Sequence, residues 1–262
     1  MPIVNGINYE EYGAGDPVVL LAGTGAPGRV WRTHQVPALI KAGFRAITVD
    51  NRGIPPSEIS AEGFTLADMV ADTIGLIEHL RPSPCRLVGF SMGAIIAQEL
   101  LTTRSDLVSQ AVLMATRGRT DALSAAASHA ELELLDSGVK LPPRYEAVVN
   151  VVRGFSRRTL NDERLVRDWL DIFEMSPIST MLSRSQLSID TIPNRLERYR
   201  TIESACLVMG FTDDLMAPPH LAREVADHIP GGTYREIAHC GHYGQLEQPE
   251  AVNAAILDFF RP

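Results

Sequence analysis

Gly89-Phe90-Ser91-Met92-Gly93 sets a serine between two glycines, directly after the apolar run Arg86 to Phe90 and directly before a helical pattern that starts at Ala94. A strand that turns at once into a helix forces its middle residue into strained backbone geometry and requires small neighbours on both sides. In return, the Ser91 hydroxyl is exposed at a helix N-terminus, where free N–H groups and the helix dipole favour an incipient oxyanion. A chance G-x-S-x-G is the bland alternative, and the strand-turn-helix context weighs against it. A serine hydroxyl at its ordinary pKa is inert, so nucleophilic chemistry here calls for a base and for a group that orients the base.

A candidate base stands near the C-terminus in Ala238-His239-Cys240-Gly241-His242-Tyr243, just after the strand-like Thr233 to Ile237. Gly241 permits a tight loop at the sheet edge that Ser91 also occupies, which makes His242 the base that activates Ser91. His239 reads as a loop histidine with a local hydrogen bond. His239-x-x-His242 has the look of half a metal site, but no third ligand is nearby and no metal is expected. The orienting acid belongs between Ser91 and His242 in the chain, just past a strand. Leu207 to Pro219 offers two adjacent carboxylates, Asp213 and Asp214, one of which reads as an exposed loop residue or helix cap.

Backbone N–H groups of the glycine-rich stretch Leu21 to Gly28 can complete an oxyanion hole. Gly23 to Gly28 also matches G-x-G-x-x-G, with Asp50 ending the next strand as in a dinucleotide fold. Pro27 removes an N–H where a pyrophosphate would bind, and Pro37 interrupts the start of the following helix. The fingerprint is therefore read as a decoy, and no cofactor is expected.

These residues need a scaffold. Short apolar runs at 17–22, 44–49, 86–90, 111–115 and 207–211 read as buried strands. Runs of that length bounded by Gly, Asp or Pro suit a mostly parallel central sheet covered on both faces. Helical spacing recurs at Leu66, Met69, Val70, Thr73, Ile74 and Ile77, and again over 94–101. Such alternation implies an α/β fold with right-handed crossovers. It stops after Ala115. From about Arg119 to Tyr199 the patterns are helical, at 122–135, 145–155, 163–175 and 181–187, with Pro142-Pro143, Pro177 and Pro193 as punctuation. The economical organisation is a core of 1–118 and 200–262 with a helical cap, or lid, of 119–199 inserted into it; a merely structural insertion is nearly as good a reading.

Within that segment Trp169, Phe173, Met175 and Met181 are candidates to line an acyl pocket. Leu165, Trp169, Ile172 and Phe173 at helical spacing read better as a helix–helix core. Arg153, Arg157, Arg158 and Arg184 are candidates to meet an anion, against the commoner reading of a solvated helix face.

The chain has 262 residues, 24 Lys and Arg against 32 Asp and Glu, and a net charge of -8, which argues against nucleic acid as a partner. Residues 1–15 have no apolar core of a signal peptide, and no apolar stretch is long enough to cross a bilayer. Cys85, Cys206 and Cys240 are few, odd in number and widely spaced, so buried thiols in a reducing cytoplasm are expected rather than a disulfide framework. A homo-oligomer is left open.

Taken together, the serine, acid and histidine in that order, the helical interruption, and Asp50-Asn51-Arg52-Gly53 as a D-x-R-G turn resemble the α/β-hydrolase superfamily over essentially the whole chain. Asp50 to Ile54, Val112 to Arg119 and Arg223 to Asp227 are similar to the actinobacterial cofactor-free bromoperoxidase and esterase group. The resemblance implies Ser91 as nucleophile, His242 as general base and then acid, and the backbone N–H groups of Met92 and Thr24 as oxyanion donors. It implies Asp214 as the acid, four residues before Pro218; Asp213 would serve instead if Gly210 is the glycine of the family's G-x-x-D.

Two departures stand out. Ala22-Gly23 replaces a His-Gly pair that helps order the oxyanion loop, and Pro55 replaces the second glycine of D-x-R-G-x-G. The implied activity is hydrolysis of a small-molecule acyl ester through an acyl-enzyme, with perhydrolysis as a side activity. Two alternatives remain beside it. One is an acyl transferase, cyclase or acyl-eliminating enzyme of secondary metabolism, and the other is a non-catalytic small-ligand receptor.

Overall fold

The computed structural model of the chain describes residues 2–60, 62–80, 84–176 and 184–261. Eight strands form one sheet: β1 (Ile3–Val4), β2 (Ile7–Tyr12), β3 (Asp16–Leu21), β4 (Phe44–Asp50), β5 (Cys85–Phe90), β6 (Val108–Met114), β7 (Ala205–Phe211) and β8 (Thr233–Ile237). Their order is β1-β2-β4-β3-β5-β6-β7-β8, with β1–β2 and β2–β4 antiparallel and every other pair parallel. The parallel part and its flanking helices answer to the expected α/β architecture. Neither β1 nor β2 stands out in the sequence, because β1 is only two residues long and in β2 the buried Asn8 and the more open Glu10 and Glu11 break the apolar run.

Alternate residues of each strand feed opposite cores. Val19, Leu21, Ile47, Val49, Leu87 and Leu113 face one side, where α2 (Leu66–Leu80), α3 (Met92–Arg104) and α10 (Pro219–His228) cover them. Val18, Leu20, Val88, Phe90, Met114 and Phe211 face the other, under α1 (Gln35–Lys41) and α12 (Pro249–Phe260), the latter preceded by the short α11 (Gly244–Glu247). Both faces being covered explains why these strands lack polar alternation in the sequence.

Between β6 and β7 the described residues form α4 (Ala122–Asp136), α5 (Pro143–Gly154), α6 (Arg157–Leu160), α7 (Glu163–Met175), α8 (Arg184–Ile189) and α9 (Leu196–Tyr199). The starts follow local chemistry: Asp121, Ser156 and Asp162 accept N–H bonds at the starts of α4, α6 and α7, and Pro143 opens α5. Pro177 and Met181 lie outside the described residues. The strand expected at 111–115 begins earlier, at Val108, and ends at Met114, since Ala115 turns to a positive φ of 49°. Among the described residues, no helix is long and apolar enough to cross a membrane.

Candidate active site

The strand order reverses between β3 and β5, because the chain runs outward from β3 to β4 and then returns to the far side of β3. In open α/β sheets that switch point, at the carboxyl ends of the strands, is where a crevice forms. Leu21 pairs with Gly89, so the loop after β3 and the turn after β5 emerge side by side. Ser91 stands in that turn with φ 53° and ψ −119°, a strained conformation for a residue with a side chain. The turn survives because it is locked from both sides. The Ser91 N–H donates to Met114 O at 3.0 Å, and the Ser91 carbonyl accepts the Ala94 and Ile95 N–H groups at 2.9 and 3.2 Å. The flanking glycines are steric necessities: a Cβ at Gly93 would lie 2.2 Å from Leu21 O, and one at Gly89 would lie 2.6 Å from Ala94 Cα.

β7 and β8 end beside this turn and carry the other two groups. His242 Nε2 is 3.1 Å from Ser91 Oγ, and His242 Nδ1 is 2.8 Å from Asp214 Oδ2. A carboxylate can only accept, so Nδ1 carries the proton and Nε2 is free to accept from the serine hydroxyl. Asp214 is held in turn by the N–H groups of Met216 and Ala217, at 2.8 and 2.9 Å from its Oδ1. Asp214 and His242 are buried, whereas Ser91 is partly open. Asp213, the other carboxylate that spacing left open, is exposed and contributes its N–H to Cys240 O instead. His239 is exposed as well, with its N–H on Thr212 Oγ1 at 2.9 Å. The described residues contain no group of three His, Cys, Asp or Glu that could hold a metal ion.

On the far side of Ser91 lies the loop that follows β3. A Cβ on Gly23 would touch the Ser91 Cβ at 3.2 Å, which fixes how closely this loop approaches. The structure gives the Thr24 and Met92 N–H groups no hydrogen-bond partner among the described residues. Two open amides beside an exposed hydroxyl can receive a negative oxygen. The histidine missing from this loop is replaced by other ties. Asn51 Nδ2 donates to Ala22 O at 3.0 Å, Asp50 Oδ1 accepts the Gly28 N–H at 2.7 Å, and Gln186 Oε1 accepts the Gly25 N–H at 2.9 Å. Asp50, which a dinucleotide site would need for a ribose, is also bound by Asn8 Nδ2 at 2.6 Å and is buried.

The helices between β6 and β7 reach this edge in three places. Phe155, Trp169 and Phe173 cluster with Tyr243, the neighbour of His242, at ring separations of 4.7 to 6.3 Å. The helix–helix packing expected of this face is present, since α7 lies against α5 and α6, but its aromatic end also reaches the site. None of its residues is fully buried and Ile172 and Met175 are exposed, while Phe173 meets Tyr243 and Trp169 stacks behind it on Phe155. Glu247 accepts from Ser156 N and Oγ and from Thr159 Oγ1 on one side, and from Gly241 N at 2.6 Å on the other. Asp190, just past α8, accepts the Thr24 hydroxyl. Of the arginines, Arg153 pairs with Glu131 and Arg184 with Asp136.

Gln186, Asp190 and Glu247 are the residues that sequence reading missed. Each acts across 88 residues or more of chain or carries no motif, and no local signal marks them. Burial pushes the Asp190 carboxyl up to about 6, with Arg117 opposing it. Burial likewise pushes Tyr243 up to about 12, so its phenol stays protonated at neutral pH.

A sheet with this reversal and a Ser–His–Asp chain at its carboxyl edge define a class, and the chain belongs to the alpha/beta hydrolase family, whose model matches residues 18–255. It is 54% identical over 253 residues to the "putative non-heme bromoperoxidase BpoC" of Mycobacterium tuberculosis, covering 96% of each chain. The crystal structure of that protein superposes with a TM-score of 0.93 over 98% of this chain and 96% of the other. A 30% identical relative in Acinetobacter baylyi, covering 95% of this chain and 92% of its own, is an (E)-2-((N-methylformamido)methylene)succinate hydrolase. A thermophilic esterase from Thermogutta terrifontis matches with a TM-score of 0.81 and 25% identity, over 97% of this chain and 93% of its own.

Proposed function

We propose that this hydrolase cleaves small carboxylic esters through an acyl-enzyme on Ser91. The observation that carries the reading is the continuous chain from Asp214 Oδ2 through His242 to Ser91 Oγ, ending on a serine held at positive φ. Ser91 Oγ attacks the ester carbonyl while His242 Nε2 takes its proton, and Asp214 holds the imidazole in the tautomer that can accept it. The carbonyl oxygen becomes an oxyanion between the N–H groups of Thr24 and Met92. His242 returns the proton to the departing alkoxide, so an alcohol leaves and an acyl-Ser91 remains. Water, deprotonated by the same imidazole, then releases the acid.

Residues 119–199 act in this reading as the cap that excludes bulk water and selects the acyl group, with Phe155, Trp169 and Phe173 as its apolar wall. The three free, buried thiols suit a reducing cytoplasm as the place of action. The relative named as a bromoperoxidase favours a second outcome at the same site. Hydrogen peroxide in place of water would release a percarboxylic acid, which oxidises bromide after leaving the enzyme. Acyl transfer or elimination would use the same acyl-enzyme with a different second step.

Labelling with a fluorophosphonate and mapping the adduct tests the proposal. Wild type should carry the adduct on Ser91 alone, and Ser91→Ala should lose both label and ester turnover. Turnover near wild type in Ser91→Ala would refute it. A folded wild type that takes no label and turns over no ester would move the non-catalytic receptor ahead.

A further inference from the structure

Asp190 is a carboxyl beside the oxyanion loop whose bonding is incomplete. It follows α8, and protein surrounds it closely enough to raise its pKa, yet 19% of its side chain still meets solvent. Its two oxygens accept from Thr24 Oγ1 at only 3.4 and 3.3 Å, beyond the usual range for such a bond. Arg117 satisfies the Asp190 backbone carbonyl at 2.6 Å but stands 3.7 Å from the carboxylate. The Arg117 side chain is itself nine-tenths buried, and its Nε has no partner among the described residues. A charged pair is thus enclosed beside Thr24 with bonding capacity unused, and buried polar groups are costly to leave in that state.

We infer that Asp190 is a substrate-recognition residue, and that the preferred ester bears a hydroxyl on one of the first acyl carbons beyond the scissile carbonyl. This rests on the reading of Ser91 as an ester-cleaving nucleophile. The direction of the acyl chain follows from the tetrahedral centre. The leaving oxygen must face His242 Nε2 to be protonated, and the oxyanion must face the N–H groups of Thr24 and Met92. The remaining substituent is the acyl carbon chain, which we place along the oxyanion loop, where the Thr24 side chain meets Asp190. A neutral donor suits the position better than an ammonium, because Arg117 already supplies the compensating positive charge. A hydroxyl donating to an Asp190 oxygen would complete the shell that Thr24 completes poorly.

The test compares phenyl 3-hydroxybutyrate with phenyl butyrate at pH 8, in wild type, Asp190→Ala and Asp190→Asn. The readout is the ratio of the two kcat/KM values, and comparing proteins cancels the esters' different intrinsic reactivities. A hydrogen bond to a charged group predicts a ratio about ten-fold or more higher in wild type than in Asp190→Ala, with Asp190→Asn between them. Phosphonate labelling of Ser91 in each variant verifies that the site is assembled. Equal ratios in labelled proteins, or parallel losses for both esters, would overturn the assignment of Asp190 and leave ester hydrolysis standing. Failure of the wild type to label and to cleave either ester would overturn both.

Discussion

Removing Glu247 should loosen the start of α6 and the histidine loop together. Its carboxylate takes Ser156 N at 3.0 Å, Ser156 Oγ at 2.7 Å, Thr159 Oγ1 at 2.5 Å and Gly241 N at 2.6 Å. In Glu247→Ala the two hydroxyls can turn to water or backbone, but the two amide N–H groups are fixed by the chain. Charge-assisted bonds contribute about 1.5–3 kcal/mol each and these share one acceptor, so the fixed pair sets a loss of about 3 kcal/mol. For a domain of this size that lowers Tm by about 6–12 °C. Glu247→Gln should lose less. With its NH₂ toward Ser156 Oγ and Thr159 Oγ1, which can rotate to accept, the amide oxygen still receives the Gly241 N–H and reaches Ser156 N at the wild-type Oε2 distance of 3.2 Å. Thermal melts followed by circular dichroism read the stability. Ester kinetics should show kcat falling more than KM rises, because Gly241 adjoins His242. An Ala variant within about 1 kcal/mol of wild type, or one no worse than Gln, would refute the view that Glu247 ties the two loops.

Two further outcomes follow from the site. Asp214→Asn should lower kcat by about 10³-fold or more by disturbing the imidazole tautomer, while Asp213→Asn stays near wild type; the reverse pattern in steady-state kinetics would exchange the two roles. Asp190, pushed up to about 6 by burial, holds its proton more tightly when folded than when unfolded. Stability should therefore fall as pH rises between about 4 and about 6 and stay lower above that window. Asp190→Asn removes this dependence, so relative to wild type it should gain about 2–3 kcal/mol between pH 4 and pH 7.5; denaturant unfolding with an equal gap at both pH values would refute the assignment.

Residues whose function is written in local backbone geometry were legible in the sequence. Gly89 and Gly93 announce the turn because a side chain at either has nowhere to go, and covalent neighbours suffice to say so. The buried parallel strands and the helix at 66–80 are legible for a similar reason, since each element's burial is stamped on its own apolar pattern. What depends on contacts between distant segments was not legible. The choice of Asp214 over Asp213 rested on a family spacing; in the structure it rests on which carboxylate the end of β7 buries against His242. Helical spacing records that the face of Trp169 and Phe173 is apolar, not what it meets; that Phe173 reaches Tyr243, with Trp169 on Phe155 behind it, needs the fold of the whole segment. Asp190 and Glu247 carry no motif at all. Their roles arise because the fold brings Asp190 to Thr24 and Glu247 to Ser156 and Thr159 from far away in the chain, and a carboxylate's environment is a property of that assembly rather than of its neighbours in sequence.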